Sequence, residues 1–149
     1  MGTRALVARA NDDETMTGTY IGYDGDPAYA LSDIIAIINR DGIEEALDTI
    51  ITEHTGWRNI SSTASAFVHE GYGEFYDDMV YPVTKPTNSE GTSELFGMTA
   101  ADWAYVFDVE EFTVEIWERD MGWVFRDTVN LEDFEDQTYD EIRKSFLKY

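Results

Sequence analysis

The spacing of apolar and polar positions divides the chain into strands at both ends and helices between them. In residues 3–9, Ala5, Val7 and Arg9 fall on one side of an extended chain and Leu6 and Ala8 on the other, which predicts a strand. Asn11-Asp12-Asp13-Glu14 is a turn by composition, and residues 17–23 predict a second strand that closes a hairpin. Asp24-Gly25-Asp26-Pro27 ends it, with Asp26 placed to cap a helix and Pro27 in its first turn. Leu31, Ile34, Ile35 and Ile38 then recur at i, i+3, i+4 and i+7 and predict one buried helix face. Asp41 and Glu44 have capping-box spacing for a second helix. Its apolar stripe is Ile43, Ala46, Leu47, Ile50 and Ile51, its wet face is Glu44, Glu45, Asp48, Thr52 and Glu53, and Gly56 ends it.

In the middle, Tyr72, Phe75, Tyr76, Met79 and Val80 keep helical spacing between Glu74, Asp77 and Asp78, which predicts a short helix. Residues 82–99 are rich in Pro, Thr, Ser, Asn and Gly and predict a long internal loop. Residues 103–108 are apolar on both faces, as in a central strand. Residues 112–118 and 123–129 follow as two more strands around the turn Asp120-Met121-Gly122. Thr138 and Glu141 make a capping box for a last helix with Tyr139, Ile142, Phe146 and Tyr149 on one face. Arg143, Lys144 and Lys148 lie in its latter half, where the helix dipole favours cations. The elements add up to one acidic α+β domain over 1–149. Its expected core is an antiparallel sheet of about five strands, two N-terminal and three C-terminal, with helices packed on one face.

Charge changes the picture most. Thirty-one carboxylates stand against ten basic side chains, for a formal charge of −21 in 149 residues. Free DNA or RNA is repelled by such a surface, and anionic membranes are disfavoured for the same reason. A basic protein or ribonucleoprotein surface is attracted from a distance. Apolar residues at 43% and aromatics at 14% are enough to build a core, so the chain is not a disordered acidic tail. The chain has no cysteine, which fits a reducing, cytoplasmic setting, and residues 1–6 lack the apolar run of a signal peptide. Only Lys85, Lys144 and Lys148 are lysines, a scarcity that also suits a solvated, salt-adapted surface with no partner at all.

Catalytic chemistry finds little footing. His54 and His69 are the only imidazoles, and Ser61, Ser62 and Ser65 sit in no nucleophile elbow. His69-Glu70 begins like a zinc-protease motif, but Gly73 stands where the second His belongs. Asp24-Gly25-Asp26 begins like a calcium loop, but Tyr29 and Ile35 occupy the positions that need Gly and Glu. A carboxylate pair working on a glycoside or with a metal is the one enzymatic alternative. The expectation is therefore a non-catalytic protein with no metal and no cofactor.

The acids fall into groups. Glu44, Glu45, Asp48 and Glu53 form one, and Glu70, Glu74, Asp77 and Asp78 a second. Glu110, Glu111, Glu115, Glu118 and Asp120 surround a hairpin, and Glu132, Asp133, Glu135 and Asp136 follow it. Same-face strand residues lie roughly 6.5–7 Å apart and helical neighbours roughly 5–6 Å. Both intervals approximate that between successive phosphates, so these carboxylates are candidate partner contacts that imitate a nucleic-acid backbone. Tyr72, Phe75 and Tyr76 fit core packing better than base-like stacking. Trp117 is either a partner anchor or a covered sheet residue.

The opening Met1-Gly2-Thr3-Arg4, the segment Tyr20-Ile21-Gly22-Tyr23-Asp24-Gly25-Asp26-Pro27 and the stretch Trp103-Ala104-Tyr105-Val106-Phe107-Asp108 resemble a group of small phage-encoded accessory proteins of unassigned role. Those proteins begin Met-Gly-Thr-Arg and carry a Tyr-x-His-Trp-Asp-Gly-Tyr-Pro segment. Here Gly22 and Tyr23 replace the His-Trp pair and Asp26 replaces the second tyrosine, so any role of that histidine is absent. The resemblance implies a viral protein acting in a host cytoplasm and implies no reaction. Joined to the charge, it leads to an expected function: inhibition of a host nucleic-acid-binding machine by nucleic-acid mimicry, the machine being a CRISPR effector or a restriction, transcription or repair protein.

Overall fold

The computed structural model describes residues 3–11, 15–53, 56–65, 69–75, 83–86 and 101–149. Its centre is a pair of parallel strands, β1 (Ala5–Ala10) and β6 (Trp103–Asp108), in register from Ala5 opposite Trp103 to Arg9 opposite Phe107. Both are apolar on both faces and buried on both, which is what a central position asks of a strand. On one side β1 pairs antiparallel with β2 (Thr15–Ile21), as the hairpin pattern predicts. On the other, β6, β7 (Thr113–Arg119) and β8 (Trp123–Asn130) form the predicted antiparallel meander.

The expected antiparallel sheet of about five strands is matched in part. Among the described residues the sheet is mixed and has eight strands, in the order β4-β3-β2-β1-β6-β7-β8, with β5 also on β2. The additions are short: β3 (Trp57–Ile60), β4 (Gly73–Phe75) and β5 (Val83–Pro86). β2 shares its outer edge between β5 at Thr15 to Gly18 and β3 at Ile21. Helices cover one face, where Val7, Ile34, Ile50, Tyr105, Phe107 and Ile142 belong to one buried cluster. Leu6, Ala8, Met16, Ala104 and Val106 form a smaller cluster on the opposite face.

The helical run starts with wide π-type turns at Pro27–Leu31 and tightens into α1 (Ser32–Asp41). Asp26 holds the N-cap position, but its side chain makes no cap bond; its carbonyl accepts from the Tyr29 and Ala30 amides. The Leu31, Ile34, Ile35, Ile38 stripe is buried as expected. The second helix is α2 (Ile43–Leu47), continued by π-type turns over Asp48–Glu53. Asp41 does not cap it. Both Asp41 oxygens accept from the Arg40 guanidinium, at 2.9 and 2.8 Å, and one also accepts from the Tyr72 hydroxyl at 2.7 Å. Charge-assisted bonds of this kind outweigh a cap to neutral backbone, and Gly42 takes the N-cap position at φ 90°. The guanidinium holds the Asp41 carboxyl below its ordinary value. At the other end of the chain, the Thr138–Glu141 capping box of α3 (Tyr139–Phe146) forms in full.

The helix expected from Tyr72 to Val80 is also corrected. Gly73–Phe75 is extended as β4, and Tyr72 is buried against Trp57 and under the Arg40 guanidinium. Gly73 sits at φ 140°, and a Cβ there would lie 2.1 Å from the Asn59 carbonyl oxygen, so close approach of β3 overrides the helical spacing. Residues 76–80 lie outside the described residues. Within the 82–99 stretch the structure has strand β5; residues 82 and 87–99 lie outside the described residues.

A buried carboxylate ties three remote segments together. Asp33 Oδ1 accepts from the Ser62 amide at 2.9 Å and the Ser62 hydroxyl at 2.8 Å, and Tyr139 of α3 also bonds Asp33. Arg143 lies 4.5 Å over the Tyr29 ring and donates to its hydroxyl at 2.8 Å, so α3 is fastened to the start of the helical run as well. Burial raises the Asp33 carboxyl above its ordinary value despite those hydrogen bonds, and burial with the Asp33 charge pushes Tyr139 to about 12. Beside this network, Gly25 donates to the Thr3 carbonyl, and a Cβ on it would meet the Ala5 Cβ at 2.8 Å.

Two outcomes follow. Gly25→Ala, which drives a methyl into β1, lowers stability by about 1–3 kcal/mol in urea unfolding. The raised Asp33 value means that the folded chain keeps this proton longer than the unfolded chain as pH rises. The wild type therefore loses stability relative to Asp33→Asn as pH climbs from the ordinary value of 3.8 through the raised one, and the two pH profiles run parallel above it.

Candidate partner-binding surface

The turn after β6 and the helical turns after α1 meet at one end of the sheet. β1 ends there with Arg9 and Ala10, Arg9 lying opposite Phe107 of its parallel neighbour. Glu44 and Glu45 of α2 and Asp48 after it are exposed, because the same helix buries Ala46 and Leu47. Glu110 and Glu111 are exposed in the β6–β7 turn, which closes through Phe112 at φ 55° and a 3.1 Å bond from the Glu111 amide to Asp108 Oδ1. Glu132, Asp133, Glu135 and Asp136 are exposed on and just past the 3₁₀ turn Leu131–Phe134. Buried Leu131 and Phe134 anchor that turn. The Leu131 amide donates to Phe112 O at 3.0 Å, and Asn39 Nδ2 donates to Phe134 O at 2.8 Å.

The first two groups therefore share one rim, and Glu135 of the third lies on a depression beside chain neighbours of both. Glu44, Asp108, Glu110 and Arg9 line a single open cleft of 780 Å³. Ile43, Phe112 and Glu135 line a smaller depression of 270 Å³ next to it. Among the described residues Arg9 is the one basic residue lining the larger cleft, and it is already held by Asp48 at 3.4 Å and Glu44 at 3.9 Å. Among the described residues Glu110, Glu111, Glu132, Asp133, Glu135 and Asp136 make no ion pair. Exposed and unneutralised, they present a field of one sign to solvent.

The other expected contacts that the structure describes do not line this rim. Glu74 lies on β4, its amide bonded to Asn59 Oδ1, and Asp77 and Asp78 lie outside the described residues. Glu115 accepts from Trp117 Nε1 on β7 at 3.2 Å. Glu118 and Asp120 hold Arg126 across the β7–β8 hairpin at 2.8 and 3.7 Å. Trp117 is half-buried and stacked on Phe125. Asp108 is a rim residue that the acidic groupings missed. It stands alone at a strand end, and only its place beside the Glu110-Glu111 turn signals it.

His69 packs against Tyr72 at 4.8 Å and Trp57 at 6.1 Å, and His54 lies outside the described residues. Among the described residues no three carboxylate or imidazole side chains gather into a group fit to hold a metal ion, and no helix is long and apolar enough to cross a membrane. Comparison with known proteins finds no matching family model, no similar curated protein and no similar solved structure.

Rim carboxylates that repel one another destabilise the folded chain, and salt screens that repulsion. Glu110→Gln therefore raises the melting temperature at low ionic strength, and the gain fades as salt approaches about 0.5 M. A gain that persists in high salt contradicts the repulsion.

Proposed function

We propose that the chain is a non-catalytic viral accessory protein that uses the acidic rim to occupy the basic groove of a host nucleic-acid-binding protein or ribonucleoprotein. The observation that carries this reading is the meeting of Glu44 with Asp108 and Glu110 around one cleft, whose described lining has one arginine that Glu44 and Asp48 already hold, together with the place of Glu135 on the depression that Ile43 and Phe112 also line. Carboxylates spaced along helical turns and strand ends approximate the phosphate interval. A groove that has evolved to neutralise phosphates can accept them, with counterion release from the groove as the driving force. The resemblance to phage accessory proteins supplies the host setting. The candidate targets are a CRISPR effector or a restriction, transcription or repair protein in the host cytoplasm.

The test is competition. Host proteins retained on the immobilised chain and eluted by stepwise salt are bound to a labelled duplex, and the free chain is added. The expected result is displacement of the duplex, with an apparent affinity that falls steeply as salt rises. Replacing Glu132, Asp133, Glu135 and Asp136 by their amides weakens the binding and flattens that salt dependence. Retained proteins that keep the duplex, or a quadruple variant with unchanged affinity and slope, contradict the proposal.

The salt-adapted surface is the second reading, favoured by the acids that lie off the rim, such as Glu70, Glu74 and Asp140. It expects the melting temperature to climb steeply up to molar salt with no partner captured.

A further inference from the structure

Among the described residues the sheet ends at β8, which pairs with β7 alone. The outer side of such a strand presents unused backbone donors and acceptors. The Thr128 amide is taken by the Asp127 carboxylate at 2.8 Å, which closes the edge locally, and among the described residues Val124 to Arg126 have no backbone partner outside β7. That part is built for contact. Phe125 is 43% exposed, with its ring 5.5 Å from Trp117, and Met121 in the adjoining turn is fully exposed. These are two of the few large apolar side chains that the described surface shows.

The register assigns a different chemistry to each face of this edge. Phe125 lies opposite Trp117, on the face away from the helices. Val124 lies opposite Glu118, and Asp127 lies opposite buried Ile116, so the helix-side face carries the carboxylates. Arg126 falls at the bulge between these registers and is already neutralised by Glu118 and Asp120. A strand added to β8 would thus set alternate side chains against an aromatic platform and against carboxylates. A second copy of the chain is a poor occupant, since it would bring a charge of −21 against −21.

We propose that β8 is a strand-addition site for an extended segment of a partner protein in which lysine or arginine alternates with apolar residues. Backbone bonds to Val124–Arg126 fix the segment, and Phe125 receives its apolar side chains. Its cations are attracted by the net negative charge that Glu118, Asp120 and Asp127 keep beside the one Arg126, Asp127 also accepting from the Tyr149 hydroxyl at 3.0 Å. This surface is separate from the acidic rim and does not depend on it.

The probe is a fluorescent peptide of alternating lysine and valine, as long as β8. Its control has the same composition but alternates L- and D-residues, which keeps the charge and prevents a strand. The all-L peptide is expected to bind about tenfold more tightly than the control, to slow amide exchange at Val124 to Arg126, and to weaken severalfold on Phe125→Ala. Phe125 is exposed, so this variant leaves the core intact. Equal binding of the two peptides, protection that appears elsewhere, or no binding overturns the inference. Binding that survives Phe125→Ala but is lost in the Glu132, Asp133, Glu135, Asp136 amide variant also overturns it, while leaving the rim reading standing.

Discussion

The parallel pairing of β1 with β6 is the constraint on which the rest of the structure depends. Two strands, apolar on both faces and nearly a hundred residues apart in sequence, bury each other at the centre of the sheet. Their union places the N-terminal hairpin beside the C-terminal meander, with the helical run from Pro27 to Glu53 packed over one face. It also decides where the charges go. Arg9 at the end of β1 draws Glu44 and Asp48 of the helices to it, and the end of β6 beside it carries Asp108, Glu110 and Glu111. One burial event thus produces both the core and the acidic rim.

That rim is assembled against its own repulsion, so the fold needs firm attachments elsewhere. Three of them are polar. Asp33 joins α1, the turn after β3 and α3. Asp41 gathers Arg40 and Tyr72, while Arg40 also donates to the Ser62 and Gly71 carbonyls. The Thr138 box starts α3. These bonds hold the segments that bear the carboxylates in place without cancelling the surface charge. Solvated acids with few counter-ions are what a docking face for a cationic groove requires.

Much of this was legible in the sequence wherever the signal is local. Alternation gave β1, the two-sided apolar run gave β6, the helical spacing of Leu31 to Ile38 gave α1, and Thr138 with Glu141 gave the start of α3. The parallel join of β1 to β6 has no local signature, because no turn encodes it. Tyr72, Phe75 and Tyr76 share a helical interval, but packing on Trp57 and the close approach at Gly73 select a strand. Asp41 has a capping spacing, yet a guanidinium and a phenol reach it first. The same limit holds for the candidate surface. Each acidic group could be read along the chain, whereas the meeting of the first two depends on the long-range pairing, and Asp108 belongs to the rim only through it.

The central claim is that the fold concentrates negative potential along one continuous rim, and a per-residue map of the field tests it most directly. Amide proton relaxation is compared in the presence of soluble cationic and neutral nitroxides at low ionic strength. The account predicts that the excess relaxation from the cationic probe is greatest around Glu44, Glu110, Glu111 and Glu132 to Asp136, and that it collapses as salt is added. An excess spread evenly over the acidic surface, with no maximum at that end of the sheet, contradicts it.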